Sequence, residues 1–295
     1  MSEKRKLVLV PVNFTEQSEN GAVYALQIAA GIDADIVLLN AYLTPVIFMP
    51  GMLEPYSYMG NFDSNIREFE KETVLNLEAM KQMLESRIKK EKIDNVNVRY
   101  DLINGYPTDS ILAYANEYNP SVIVMGSLGK KSSGLTSFGR VTNKVLEKAN
   151  VPVISVPLGY DAYKFIKPKK VIYITNLDNT DYFALERLCG FAKFFNVKII
   201  CIHTSVVESD EIEEAKMRNL KEYVVKQLGV ANLECGILEL ADPQEGLEEF
   251  IKKRGADMLA FSAHKRNLLL KFFDASPIHK FIYQTNIPLL VYHAK

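Results

Sequence analysis

The residues of this chain best suited to chemistry are three glycines. Gly126 follows directly on the apolar run VIVM, Gly129 comes three positions later, and Gly139 stands ten positions further on, at the head of the stretch RVTNKVLEK. A glycine at a strand end lets the backbone turn sharply and approach a ligand closely. Gly139 offers no capping side chain, so the first amides of the next helix stay free. With the helix dipole, they form an anion site. Arg140, Lys130 and Lys131 add positive charge nearby. The chemistry this pattern supports is the holding of a phosphate. Bond-making by a side chain is not expected, because the sequence has neither a GxxxxGK(S/T) phosphate loop nor a GxSxG nucleophile elbow. It also lacks the SGGxDS, HIGH and KMSKS signatures of nucleotide-activating enzymes with similar folds. At most, slow ATP hydrolysis is expected. The four histidines and the cysteines Cys189, Cys201 and Cys235 show no ligand spacing, so no metal site is expected.

Alternating strands and helices must position these glycines. Short apolar runs at Leu7 to Val12, Ile36 to Leu39, Val96 to Leu102, Val122 to Met125 and Val151 to Val156 read as strands. Helical spacing separates them, over 16–30, 66–90, 110–118 and 142–148. Continuous apolar strands alternating with helices imply a parallel sheet covered on both faces. The second half repeats the order. Its strands fall at 171–174, 197–203, 232–239, 258–261 and 288–292, and its helices at 183–195, 211–228, 245–253 and 278–284. The endings align without a gap: VIVMGSLGK against MLAFSAHKR, and NVPVISV against NIPLLVY. The repeat unit is therefore a whole domain. The expected division is a first domain over 1–157, a linker over 158–168 and a second domain over 169–295.

The bulk properties agree. A chain of 295 residues suits two domains, and 48% hydrophobic content suits full cores. A formal net charge of −1 favours neither nucleic acid nor an anionic membrane as partner. No apolar stretch reaches the roughly 20 residues that cross a bilayer. The scattered cysteines read as small buried hydrophobes in a reducing cytoplasm.

The glycine spacing, with its strand-loop-helix setting and the domain repeat, resembles the universal stress protein family. Nucleotide-binding members carry G-x2-G-x9-G followed by Ser or Thr. Gly126, Gly129 and Gly139 match the glycines, and Val141 and Thr142 fit the positions beyond. Arg140 stands where the Ser or Thr is usual, and Asn13 where an aspartate usually contacts the nucleotide. Arg140 exchanges a hydroxyl for a phosphate partner, while Asn13 keeps hydrogen-bonding capacity without the charge.

The resemblance implies two Rossmann-like domains of the adenine nucleotide alpha hydrolase type, each a five-stranded parallel sheet flanked by helices. It implies ATP, with Mg2+, held in the first domain. The expected contacts are Pro11, Val12 and Asn13, Ala41 beside the adenine, Met125, Gly126 and Gly129, and Gly139, Arg140, Val141 and Thr142. The matching positions of the second half are Ser262, Lys265, Ala275 and Ser276, with Pro277 next. No glycine of the motif survives there. Ser276–Pro277 reads as an ordinary cap and first helical residue, so no nucleotide is expected in the second domain. The alternative is a scaffold or interaction module of this fold without a ligand.

Single-domain members of the family usually pair through their last strands. Here both last strands lie in one chain, and covering their edges by antiparallel pairing would give an intramolecular counterpart of that dimer. A homodimer of the whole chain and an unknown protein partner are left open. Residues 44–60, rich in Met, Tyr and Pro, read as a lid on their own domain.

Overall fold

The computed structural model describes residues 5–43, 59–128, 139–205, 209–230, 233–240, 243–263 and 285–293. Residues 44–58 of the lid stretch, Gly129 and the expected helix over 278–284 lie outside the described residues.

The first half runs β1 (Lys6–Pro11), α1 (Glu16–Ile32), β2 (Ala34–Tyr42), α2 (Met59–Glu91), β3 (Val98–Asn104), α3 (Pro107–Tyr118), β4 (Val122–Ser127), α4 (Arg140–Lys148) and β5 (Val153–Pro157). The second runs β6 (Lys170–Ile174), α5 (Asn179–Phe195), β7 (Lys198–Ser205), α6 (Glu211–Leu228), β8 (Leu233–Glu239), α7 (Pro243–Arg254), β9 (Met258–Ala263) and β10 (Leu289–His293). Two element starts move for visible reasons. The third helix starts at Pro107, where a missing amide and a fixed φ suit the first helical position. Helix α5 starts four residues earlier than its apolar spacing suggests, because Asp178 and Asp181 form a reciprocal capping box.

The ten strands form one sheet in the order β3-β2-β1-β4-β5-β10-β9-β6-β7-β8. Each half is parallel throughout and has the same internal order. The halves meet where β5 and β10 pair antiparallel, with Leu289 opposite Ser155, Leu290 opposite Ile154 and Val291 opposite Val153. This is the strand pairing expected from the two exposed last strands. His293 reinforces it: its Nε2–H donates to the Leu146 carbonyl at 2.6 Å.

Alternation along each strand divides the core. Val8 and Val10 of β1 face a layer with α1, α2, α5 and α6, in a cluster that continues through Tyr173 and Cys201 to Tyr292. Leu9 faces the other layer, with α3, α4 and α7. On the first face the helices of the two halves touch: a β-carbon built on Gly31 at the end of α1 would lie 1.9 Å from the Phe195 ring of α5.

The linker is packed rather than loose. It contains a 3-10 turn (Ala162–Lys164) and buries Ala162 and Phe165. Phe165 stacks on Tyr24 of α1 with ring centroids 4.1 Å apart. Asn20, buried in α1, holds the backbone. Its Nδ2 donates to the carbonyls of Pro157 (3.2 Å) and Tyr160 (2.9 Å), and its Oδ1 accepts from the Ala162 amide (3.3 Å). Asn20→Ala removes all three bonds and leaves these groups only the local turn bonds from the Tyr160 amide to the Pro157 carbonyl (2.9 Å) and from the Ala162 amide to the Tyr160 carbonyl (3.0 Å), and should cost about 2 kcal/mol. Urea unfolding should show the lower midpoint; an unchanged midpoint would mean the linker is not held here.

Candidate functional site

The β1–α1 loop is fixed by hydrogen bonds before any ligand is considered. The Val12 amide donates to the Leu39 carbonyl at 2.9 Å, and Asn40 Nδ2 to the Val12 carbonyl at 2.8 Å. Phe14 then takes a left-handed conformation, φ 59°, which is uncommon for an aromatic residue. The turn places Thr15 as N-cap of α1, its hydroxyl oxygen accepting from the Ser18 amide. Asn13, exposed beside it, uses its Oδ1 to accept the Thr15 hydroxyl at 2.7 Å.

A cleft of about 550 Å³ opens at the carboxyl ends of β1, β2 and β4. In this sheet order β1 and β4 are the central strands from which the chain turns in opposite directions, the place where open α/β sheets bind ligands. Ten of the eleven expected contacts line it. Pro11, Val12 and Asn13 come from the end of β1 and its loop, Ala41 from β2, Met125 and Gly126 from β4, and Gly139, Arg140, Val141 and Thr142 from the start of α4. Gly129 is the eleventh.

The structure gives two of these residues a packing role that the sequence reading had not assigned. A β-carbon on Gly126 would lie 1.8 Å from the Gln17 carbonyl oxygen, and one on Gly21 would lie 2.7 Å from the Gly126 amide nitrogen. Gly126 is thus required for α1 to pack backbone-to-backbone on β4. Thr142 is buried, and its hydroxyl lies 3.4 Å from the Gly126 carbonyl, tying α4 to the same strand end. Gly139 differs. With φ −64° and ψ 155° it is an extended N-cap that makes no side-chain cap bond, and nothing among the described residues stands within 4 Å of a β-carbon there. The first turn of α4 carries no acidic residue and begins with Arg140. Its amides face an anion-compatible opening.

Residues the sequence reading missed complete the walls: Gln17 and Ser18 from α1, and Pro107 and Ile111 from α3. Pro107 carried a signal, since a proline after Gly105 and Tyr106 marks a helix start beside the strand ends. Among the described residues no acidic side chain lines the cleft.

The second half repeats the loop but sets a buried carboxylate behind it. Asn176 follows β6 as Asn13 follows β1, and Leu177 repeats the left-handed turn at φ 58°. Asp181, fully buried, occupies the place of Ser18. It accepts five hydrogen bonds: from the hydroxyls of Tyr173 (2.6 Å), Thr175 (2.6 Å) and Ser262 (3.0 Å) and from the amides of Asn176 (3.1 Å) and Asp178 (3.2 Å). Burial, and then the Asp181 charge, push the Tyr173 hydroxyl well above its usual pKa, so it stays a donor. Ser262 stands where the first half has Gly126. Lys265, Ala275 and Ser276 lie outside the described residues.

The fold defines an α/β protein of the open parallel-sheet type, built twice in one chain, with a cleft at the strand ends of the first half. The universal stress protein family model matches residues 4–157 and again 168–293, so the chain belongs to the universal stress protein family as a tandem member. Two universal stress proteins of Methanocaldococcus jannaschii are similar to it. One is 28% identical over 53% of this chain and 97% of its own length, the other 24% identical over 56% and 84%. A universal stress protein structure from Archaeoglobus fulgidus shares the fold over 97% of this chain and 96% of its own, with TM-score 0.64 and 18% identity. Among the described residues no helix is long and apolar enough to cross a membrane, and no cluster of three or more His, Cys, Asp or Glu side chains could hold a metal ion.

Two substitutions separate packing from binding. Gly126→Ala should destabilise by about 2–3 kcal/mol through overpacking, while Gly139→Ala should stay within about 1 kcal/mol of the parent. Equal urea midpoints for the two would contradict the assigned packing role. In the second half, Asp181→Asn sets amide donors against five existing donors and should cost about 3 kcal/mol. Thermal unfolding of that variant at the parental temperature would show that the network contributes little.

Proposed function

We propose that this chain is an adenine-nucleotide-binding stress-response protein whose first domain, residues 1–157, holds one ATP as sensor or switch. The observation that carries the reading is the uncapped start of α4 opening onto the cleft at the centre of the sheet. The triphosphate lies against Gly126, Gly129 and the amides of Arg140 to Thr142, with Arg140 as a charged partner in place of a hydroxyl. The adenosine end lies toward Asn13 and Ala41. Asn13 Nδ2 serves as donor while its Oδ1 is held by Thr15. Mg2+ accompanies the phosphates. With no carboxylate among the described residues of the cleft lining, the metal is carried by phosphate oxygens and water.

The second domain, 169–295 after the linker 158–168, binds no nucleotide in this reading. Asp181 would set a buried carboxylate and a filled hydrogen-bond network where a ligand would enter. The compartment is the cytoplasm, in keeping with three unpaired cysteines. A second reading, an interaction module without nucleotide, is favoured by Asn13, whose acceptor oxygen is already engaged.

Calorimetry with Mg2+ and ATP on the full chain decides between them. One nucleotide per chain is expected, and Arg140→Glu should weaken it at least about tenfold by setting charge against phosphate, with the urea midpoint unchanged. Absence of ATP heat in the unaltered protein would remove the first reading, and two nucleotides per chain would remove the asymmetry.

A further inference from the structure

At the opposite end of the strands a second cavity, of about 330 Å³, lies where the halves meet. The first half contributes Lys6 and Val122 at the starts of β1 and β4, with Ile32 from the end of α1. The second contributes Arg187, Phe191 and Phe194 of α5, with Leu290 from β10. Arg187, Phe191 and Phe194 are spaced four and three apart and so share one face of α5. That face reaches the first half, because Lys6 Nζ lies 4.0 Å from the Phe194 ring centroid.

The charge of this cavity is unbalanced. Among the described residues its lining holds two cations, Lys6 and Arg187, and no carboxylate. Lys6 gives one donor to the Ile32 carbonyl at 3.0 Å, which leaves the rest of its ammonium for another acceptor. The Arg187 guanidinium lies 4.7 Å from the Phe183 ring, and its Nη1 is buried with no hydrogen-bond partner among the described residues. A buried guanidinium donor without an acceptor is rare in a folded protein, and supplying the acceptor is what a bound anion does.

We infer that this cavity binds a small carboxylate with an aromatic or branched apolar body. Arg187 and Lys6 take its charge, and Phe191, Leu290 and Ile32 take its body. The volume is at the small end of ligand sites, which run from about 300 to 1,000 Å³. Phe191, Phe194, Leu290, Ile32, Val122 and Val151 make the walls more apolar than polar, which suits a ligand with an apolar body better than a bare phosphate. The site is separate from the glycine cleft, so this inference stands whether or not that cleft holds ATP.

The test uses the full chain with sodium phenylacetate as probe, followed by calorimetry and ligand-observed NMR. Saturable binding at one per chain is expected, at least about tenfold tighter than acetate or inorganic phosphate. Binding should weaken at least about tenfold in Arg187→Gln and in Lys6→Met. Lys6 is exposed at a strand start, so its variant decides the matter if Arg187→Gln fails to fold. ATP should not compete. Absence of saturable binding, equal affinity for acetate or phosphate, undiminished binding in the folded variants, or competition by ATP each overturns the inference.

Discussion

The antiparallel pairing of β5 with β10 is the contact on which the rest of this molecule depends. Each half is a parallel sheet whose last strand would otherwise present an open edge of unpaired amides and carbonyls. Joining the edges satisfies both at once and merges two five-stranded units into one sheet. It also brings α1 and α5 together on one face, so that Gly31 must be small for Phe195 to fit. The hydrophobic layer then runs without interruption from Val8 to Tyr292. The linker adds to this seam, because Asn20 and Tyr24 of α1 clamp it on the first half before the chain enters β6.

Two copies of one plan have diverged at a single structural decision, how closely the first helix approaches the fourth strand of its half. In the first copy Gly21 and Gly126 let the backbones meet, and the polar partner there is the small Ser18. In the second copy Ser262 replaces the strand glycine, and a carboxylate at the position of Ser18 gathers the neighbouring hydroxyls and amides. A fully buried carboxylate is tolerable only when its acceptor sites are filled, and here five donors fill them. The same loop conformation, with Phe14 and Leu177 both left-handed, therefore borders an open cleft in one half and a closed polar network in the other.

Much of this was legible in the sequence. Strand and helix order and the domain repeat follow from period and spacing, while the pairing of the last strands and the assembly of ten site residues in one place were implied by the family resemblance. What was not legible depended on distances between segments far apart in the chain. Gly126 looked like a ligand-approach glycine because nothing in one sequence says that Gln17 will come to rest against it. Asp181 gave no signal, because nothing in one sequence says that Tyr173, Thr175 and Ser262 will gather around it. Residues 158–168 looked like a tether because glycine, proline and lysine hide the two apolar residues, Ala162 and Phe165, that bury it. The Arg187, Phe191 and Phe194 stripe reads from sequence as an ordinary helix face, since its partner surface belongs to the other half.

Helix α1 connects these features. Twelve of its 17 residues are buried, which fixes it to the sheet as a rigid rod about 25 Å long at 1.5 Å per residue. Its first turn supplies Gln17 and Ser18 to the glycine cleft, its middle holds the linker through Asn20, and its last residue, Ile32, lines the cavity at the seam. An event that displaces the start of the helix cannot be absorbed by bending within a close-packed layer. It must be taken up at the backbone contact with Gly126, at the linker, or where Gly31 meets Phe195. The two cavities, at opposite ends of the strands, thus share one stiff element. Coupling between the two ends would require this element to have two arrangements that both cavities bias.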